Sequence, residues 1–580
     1  MTSNSDHPDR PTTSVGPVSP SQGGVDRIAN WYTAQAAALD PILATEIGLP
    51  GHDSAMTDFS PDGHRARYEL RQEALRRLSR DVPSGTSLTG DAAVTVAAMK
   101  DRLGLEQELY EADEYQADLN VITSPVQAMR DVFDLMPDQT EADWGTIAQR
   151  LAAVRPAAAG YIESLSAAGP SGPSPARRQF ELAAEEAAKL SAEDSYFTAL
   201  AARGQAALLD GDSPLGRDLA AAALSARQAY GELSQYLRGR IEGAPANDAF
   251  GRDRYALWSR FFVGQAVDLD EAYDWGEGEL ARLTALQEAT ARRISGAEAG
   301  VAEAVAQMDA DPSRKLNGTA ELRQWMQSTA DQAIEALDGR YFDIPLPVRT
   351  LEAMIAPSQS GAIYYTGPSS DFSRPGRMWW SVPPGVEQFG TWREKTTVYH
   401  EGAPGHHLQI GIATAESDHL NDWRRLASWS SGYGEGWALY AEMLMHEFGF
   451  MDDLGDYLGL LDGQRMRAAR VVFDIGIHLG KAAPKRWGGG IWEADRGWDF
   501  LKANVIGMPT GFLRFEWARY LGWAGQAPSY KLGQRAWEDL RQRAVRAAGG
   551  GEAALRDFHN RALRLGSLPL AVLPSALGLA

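Results

Sequence analysis

The stretch Thr397-Val-Tyr-His-Glu-Gly-Ala-Pro-Gly-His-His-Leu-Gln409 decides how the rest of the chain is read. It carries three of the ten histidines, with a carboxylate directly after the first. A second stretch, Gly434-Glu-Gly-Trp-Ala-Leu-Tyr-Ala-Glu442, adds two more carboxylates. A His-Glu pair, a second histidine and a later glutamate are the parts of a catalytic zinc site, where imidazole and carboxylate ligands leave one position open for water. The spacing departs from the usual one. In His-Glu-x-x-His both ligands share a helix face, but here the second histidine's place is taken by Pro404.

Geometry narrows the options. On one straight helix His400 and His406 would point roughly 120° apart, and His400 and His407 would lie about 10 Å apart along the axis. Neither pair closes on one ion unless the helix is interrupted. Pro404 and Gly405 supply the interruption, one by removing a donor and clashing with the preceding turn, the other by permitting unusual dihedrals. A break directly before His406 swings it back toward His400, so His406 is the expected second ligand. His407 then supports a ligand or faces the substrate. Glu401 is the expected general base, taking a proton from a water whose pKa zinc lowers to about 7. Glu435 is the expected third ligand. Glu442, two turns on, lies too far along the helix to be an equivalent ligand and is expected to orient a ligand histidine. Singly, these features have plain alternatives: adjacent histidines can cap a helix, and Glu435 can be a solvated helix residue. The metal reading rests on their joint presence in a chain with no cysteine.

Composition sets the frame. The chain has 580 residues, with 56 Lys plus Arg against 77 Asp plus Glu, a net charge of −21. That balance argues against nucleic acid or an anionic membrane as the main partner. Without cysteine there is no disulfide scaffold, thiolate zinc site or thiol nucleophile. No apolar run approaches the ~18 residues of a membrane span. Residues 1–24 are polar, lack the apolar core of a secretory signal and read as a disordered tail, so the expected location is cytoplasmic.

From Val25 to about residue 340 helical patterns dominate, and this region is expected to form a helical lobe. Val25 to about Leu49 reads as one helix. Strong helix formers fill 141–167, 174–208 and 214–242, separated by Pro/Gly/Ser clusters at 169–175 and 210–214. Asp268-Leu-Asp-Glu271 reads as a capping box opening a helix to about Ile294. Character changes near residue 340, and residues 341–580 are expected to form the metal-binding lobe, interleaved with the first. Twelve of the 17 tryptophans lie beyond residue 378. Gly361-Ala-Ile-Tyr-Tyr-Thr-Gly-Pro368 and Arg377-Met-Trp-Trp-Ser-Val-Pro383 look like two short strands. They form either a packed hairpin or a sheet edge beside the metal, with Tyr365 toward substrate. Helices are expected at 391–403, 406–415, 428–449, 455–481, 493–506, 510–523 and 528–548, and the proline-punctuated 568–574 as an extended strap.

The set His400-Glu-x-x-Pro-Gly-His-His-x-Gln409, Glu435-Gly-Trp-Ala-x-Tyr-x-Glu442 and Arg467-x-x-Arg-x-x-x-Asp-x-Gly-x-His478 resembles the DUF885 family, a bacterial family of unassigned function grouped with zinc-dependent peptidases. Glu516-x-x-Arg-Tyr520 and Gly525-Gln-Ala-Pro-Ser-Tyr-Lys-Leu-Gly533 continue the resemblance, which runs from about Ala29 to Gly551. It implies a mainly α, two-lobed fold like that of thermolysin-clan helical oligopeptidases and carboxypeptidases, with a deep central cleft and a small antiparallel sheet near the site. Tyrosine donors stabilise the oxyanion in related helical metallopeptidases, where a positioned donor contributes about 3–4 kcal/mol. Tyr530 is the candidate here, or else a buried tyrosine bonded to backbone. His478 is the other catalytic candidate. Asp474, four residues before it, would fix its tautomer, and Arg470 on the same face would clamp a substrate carboxylate. The alternative is a buried packing network. Glu516, Arg519 and Tyr520 are read as structural.

The expected function is therefore a zinc-dependent hydrolase of short peptides with one ion per chain. A hydrolase of a small-molecule amide or ester is the second reading. A non-catalytic helical binding protein with a structural metal is the third, and the presence of Glu401 argues against it, because a structural site needs no base. Manganese, cobalt or iron would accept the same ligands.

Overall fold

The computed structural model describes residues 20–579, apart from 83–87, 89, 168–171, 208–212 and 357–362. The fold is mainly helical, with 70% helix and 4% strand. Residues 1–19 of the expected tail lie outside the described residues, as do 169–171, 210–212, Gly361 and Ala362. Pro20–Gly24, expected in that tail, instead open the first helix, Pro20–Leu39. The helix is held from within the core by Val25, Ile28, Ala29 and Tyr32, all buried, and proline is tolerated in a first helical turn. The single helix expected to Leu49 is two: Asp40 caps a separate helix Pro41–Glu46 by accepting from Leu43 N at 3.1 Å.

The hydrophobic interior divides into two main groups. One surrounds the long helix Pro214–Arg240, which packs against Glu141–Ala152, Val154–Ala167, Arg177–Ser191 and Tyr196–Ala207. Trp144, Phe180, Phe197, Tyr230 and Leu233 fill it. Alanines on the facing sides (Ala183, Ala187, Ala222, Ala226) let these helices approach closely. The other group joins Val25–Leu103 and Tyr255–Leu337 to nearly everything beyond residue 340. The two groups do not part at residue 340.

Helices of the larger group carry the site. Leu454–His478 runs through the middle of it; its last eleven residues are all buried, so apolar residues surround the axis rather than line one face. Asp453 caps it by accepting from Gly455 N and Asp456 N. It packs on Leu269–Ser295 and Thr391–Glu401. Asp268 caps Leu269–Ser295 through Asp270 N and Glu271 N. The expected reciprocal bond from Glu271 is replaced by an ion pair with Arg535. Ser431–Glu447 lies against Gln526–Ala547 at unusually short range. A Cβ on Gly436 would sit 2.4 Å from the Gly533 carbonyl carbon, so only glycine allows the two backbones to meet.

A three-stranded sheet flanks these helices. Gly376–Trp380 is central, pairing antiparallel with Ile363–Thr366 as expected and parallel with Leu351–Ile355. The last strand is unanticipated, because Leu, Glu, Ala and Met are helix formers. Tertiary bonds override that preference: the Gln327 side chain accepts from Ala353 N at 2.8 Å and donates to Leu351 O at 2.7 Å. The tail 568–574 packs inward through Leu568, Leu570 and Leu573, and a short helix follows at Leu573–Ala576. Among the described residues no helix is long and apolar enough to cross a membrane.

The crossing at Gly436 yields a stability test. Gly436→Ala should cost about 1–3 kcal/mol, the usual range for an added methyl that rigid neighbours cannot accommodate. Gly278→Ala, on an exposed helical position with nothing within 4 Å of the new Cβ, should gain roughly 0.5–1 kcal/mol. Urea denaturation of both variants against the parent measures the pair; a Gly436→Ala protein as stable as the parent would contradict the crossing.

Candidate metal centre

The helix Thr391–Glu401 ends at Glu401 and the next begins at His406, ending at Ala415. Between them Gly402-Ala-Pro-Gly405 makes a tight turn with a cis Ala403–Pro404 bond. Gly405 N donates to Tyr399 O at 3.1 Å and His407 N to Gly402 O at 3.2 Å. A Cβ on Gly405 would fall 1.9 Å from the His400 carbonyl oxygen, so the turn closes only with glycine there. Trp437 Nε1 donates to Pro404 O at 2.8 Å and ties the turn to the helix that bears Glu435. The result brings the His400 and His406 rings to 4.9 Å between centroids at 90°.

Glu435 completes the group. Its Oε2 is 3.2 Å from His400 Nε2 and 3.5 Å from His406 Nε2. One donor atom from each of these three residues lies within 4.8 Å of the others, a spacing that can hold one cation. Two neighbouring glycines hold Glu435 in place: Gly436 meets Gly533, and the Trp429 indole occupies the space where a Gly434 side chain would be.

Glu442 lies behind His400. It takes His400 Nδ1 at 2.8 Å and the Thr396 hydroxyl at 2.7 Å. Because the carboxylate accepts, Nδ1 carries a proton, and Nε2 faces Glu435. Such a carboxylate–histidine pair fixes the tautomer of a metal ligand. Burial alone would raise Glu442, but the charges of Arg467 and His400 outweigh it and hold the carboxyl below its usual range. The same contest at Glu435, decided by His400 and His406, puts it well below. Burial would lower His400, yet Glu435 and Glu442 bring it up to about 10. Glu435 and Glu442 thus hold His400 between them. Glu401 is buried beside it and raised, chiefly by burial. His406 Nδ1 is buried without a hydrogen-bond partner among the described residues.

The model of one family, described as a bacterial protein of unknown function (DUF885), matches residues 41–577. The chain belongs to the DUF885 family. Two solved structures, each of a "putative lipoprotein", share the fold. The one from Colwellia psychrerythraea is 22% identical, with a TM-score of 0.81, over 96% of this chain and 99% of that one. The one from Shewanella oneidensis, of unknown function, is 16% identical, with a TM-score of 0.69, over 95% and 99%. No curated protein sequence matches the chain.

The other expected site residues of this DUF885 chain fall in three places. His407 turns away from the donor group: its Nε2 donates to Val348 O at 2.7 Å, which leaves Nδ1 to accept from the Tyr365 hydroxyl at 3.0 Å. Both residues expected to face substrate are therefore committed to each other, and they lock the helix His406–Ala415 to the sheet. Burial holds His407 down at about 4, a neutral ring. Tyr530 and Arg470 are neighbours, the Arg470 guanidinium carbon lying 5.0 Å from the Tyr530 ring centroid. Ser529, beside Tyr530, donates to Ser431 Oγ at 2.7 Å, one turn before Glu435. Tyr530 is raised by burial and by the Glu435 charge, so its hydroxyl keeps its proton at neutral pH.

The expected Asp474–His478 pair does not form, and this corrects both roles. Asp474 Oδ1 accepts from the Tyr255 hydroxyl at 2.7 Å and Gly525 N at 2.9 Å. His478 Nε2 donates to Tyr520 O at 2.9 Å, and its ring stacks on Tyr255 at 5.6 Å. His478 is eleven residues beyond Arg467, about 16 Å along the helix, and it packs rather than joins the metal centre. Spacing alone suggested the pair; on a helix buried all round, each polar group found a nearer partner on another element. Sequence reasoning also missed Thr396, although its position one turn before His400 was readable, and Trp429, whose ring lies 6.4 Å from His406 and 40% exposed.

Burial lowers His478 to about 4 from an ordinary 6.5. A histidine whose folded pKa is depressed contributes stability above 6.5 that is lost as pH falls toward 4, because only the unfolded chain takes up the proton. His478→Gln should be less stable than the parent at pH 7, and the gap should narrow by about 3 kcal/mol by pH 4. Urea denaturation at a series of pH values measures it; a gap independent of pH would show that His478 is not held neutral.

Proposed function

We propose that this chain is a metal-dependent hydrolase of peptide bonds, with one zinc ion held by His400, His406 and Glu435. The observation that carries the reading is the convergence of those three donor atoms from either side of a helix break and from a third helix. The fit is chemical as well as spatial. The group offers two imidazoles and a carboxylate, and its first histidine is already oriented by Glu442. A bound zinc ion supplies Lewis acidity, lowering the pKa of its water toward about 7 and polarising the scissile carbonyl.

The chain's own residues do the rest. Glu401 takes a proton from the attacking water and hands it to the departing amine. Its burial suits a base that must give the proton up again, because a carboxyl raised above its usual range binds a proton more readily. Tyr530, protonated at neutral pH and near enough to feel the Glu435 charge, donates a hydrogen bond to the developing oxyanion. The two groups of buried helices are in keeping with the two-lobed, deep-clefted arrangement of thermolysin-clan peptidases, which belongs to the same proposal.

The test is a matched pair of variants. Glu401→Gln should bind zinc in the parent's stoichiometry and lose about 10²–10⁴-fold in kcat on any peptide the parent cleaves. His406→Ala should lose zinc and activity together. Metal analysis of untagged protein and a peptide-library assay provide the readouts; full activity in Glu401→Gln would overturn the mechanism.

A further inference from the structure

One cluster of buried charge is not used by the steps above. It lies where the helix Leu454–His478 meets Thr510–Gly522. Arg470 donates Nε to the Tyr520 hydroxyl at 2.5 Å and Nη2 to Glu516 Oε2 at 2.6 Å. Arg519 donates Nη1 to Glu516 Oε1 at 2.9 Å and Nη2 to Gln526 Oε1 at 2.6 Å. The Tyr520 hydroxyl donates to Glu516 as well. Arg470, Arg519 and Glu516 are 5%, 7% and 8% exposed.

Two guanidiniums therefore share one carboxylate. Glu516 neutralises one of them, and the cluster keeps a positive charge in a place where an uncompensated ion costs several kcal/mol. Asp474 makes no hydrogen bond to either arginine; its Oδ1 serves Tyr255 and Gly525. Arg519 Nε is buried without a partner among the described residues. Both guanidiniums are braced in a fixed orientation by Glu516, Tyr520 and Gln526.

Two separate paths place the cluster beside the metal centre. Along Leu454–His478, Arg470 is one turn, about 5 Å, beyond Arg467, and Arg467 lies 3.9 Å from the Glu442 carboxylate that holds His400. Across the helix crossing, Arg470 sits under Tyr530, whose neighbour Ser529 meets Ser431 one turn before Glu435. Each path runs through a single residue, Arg467 or Tyr530, so the cluster neighbours the donor group.

We propose that Arg470 and Arg519 form the recognition site for the free α-carboxylate of the substrate, so that the chain cleaves peptides near their C-termini. The inference rests on the hydrolase reading for the cleavage, but not for the carboxylate binding. Guanidiniums suit this task because their planar fork matches a carboxylate in two-pronged fashion, which an ammonium cannot do.

Binding is the test, because it needs no turnover. Zinc-loaded Glu401→Gln protein is titrated calorimetrically with an acetylated tripeptide and with the same tripeptide as its C-terminal amide. The acid should bind at least about tenfold more tightly than the amide. Arg470→Lys and Arg519→Lys, each added to Glu401→Gln, should shrink that ratio to less than about threefold while leaving amide binding near its starting value. A merely structural role would weaken both ligands equally and leave the ratio intact. Equal binding of acid and amide by the Glu401→Gln protein, or no binding of either, overturns the proposal, and this result does not depend on whether the lysine variants fold. Acid-selective binding in a protein whose parent cleaves no peptide would instead refute the hydrolase reading and leave the carboxylate site standing.

Discussion

The constraint on which the centre depends is the meeting of two helix backbones at Gly432, Gly436 and Gly533. Dispersion and apolar burial fall off steeply when side chains hold helices apart, and here no side chain does. The contact lets Ser529 reach Ser431, one turn before Glu435. The same helix, Ser431–Glu447, performs three further tasks. Glu435 offers a donor atom, Trp437 braces the turn at Pro404, and Glu442 orients His400. A shift of this helix by one side-chain thickness would disturb all of them at once.

The parts of this arrangement that were legible in the sequence are those governed by local chemistry. Proline and glycine at 404 and 405 required an interruption, and the helices do end at Glu401 and resume at His406. The seven helices expected between 391 and 548 were readable, all to within three residues at either end, whereas Gly551–Arg564 was not anticipated. The position of Glu442, two turns beyond Glu435, excluded it as an equivalent ligand and left it free to serve a histidine; it does contact His400. Asp268 was recognisable as a cap because its side chain bonds to residues two and three ahead.

What escaped was decided by partners distant in the chain. Leu351–Ile355 has the composition of a helix and becomes a strand because Gln327 and the Gly376–Trp380 strand satisfy its backbone. Asp474 and His478 have the spacing of an interacting pair, yet Tyr255 and Gly525 claim the first while Tyr520 claims the second. Spacing of four residues is informative on a helix surface, where water is the competitor. On a helix enclosed on all sides the competitors are other protein groups, and sequence distance says nothing about them. The sharing of Glu516 by Arg470 and Arg519 was hidden for the same reason, since counting charges in a cluster requires knowing its members.

The turn from Gly402 to Gly405 has a consequence for how this chain can vary in length. Most surface connections absorb insertions and deletions readily. This turn is buried, and it fixes the phase between two helices rather than merely joining them. Adding or removing one residue would rotate everything after it by about 100° about the following helix axis. His406 would leave His400, and the Tyr365–His407 contact that locks the helix to the sheet would be lost with it. Four residues between Glu401 and His406 is therefore a length the fold can hardly alter, while the identities of Ala403 and many residues around it are open to exchange wherever volume allows.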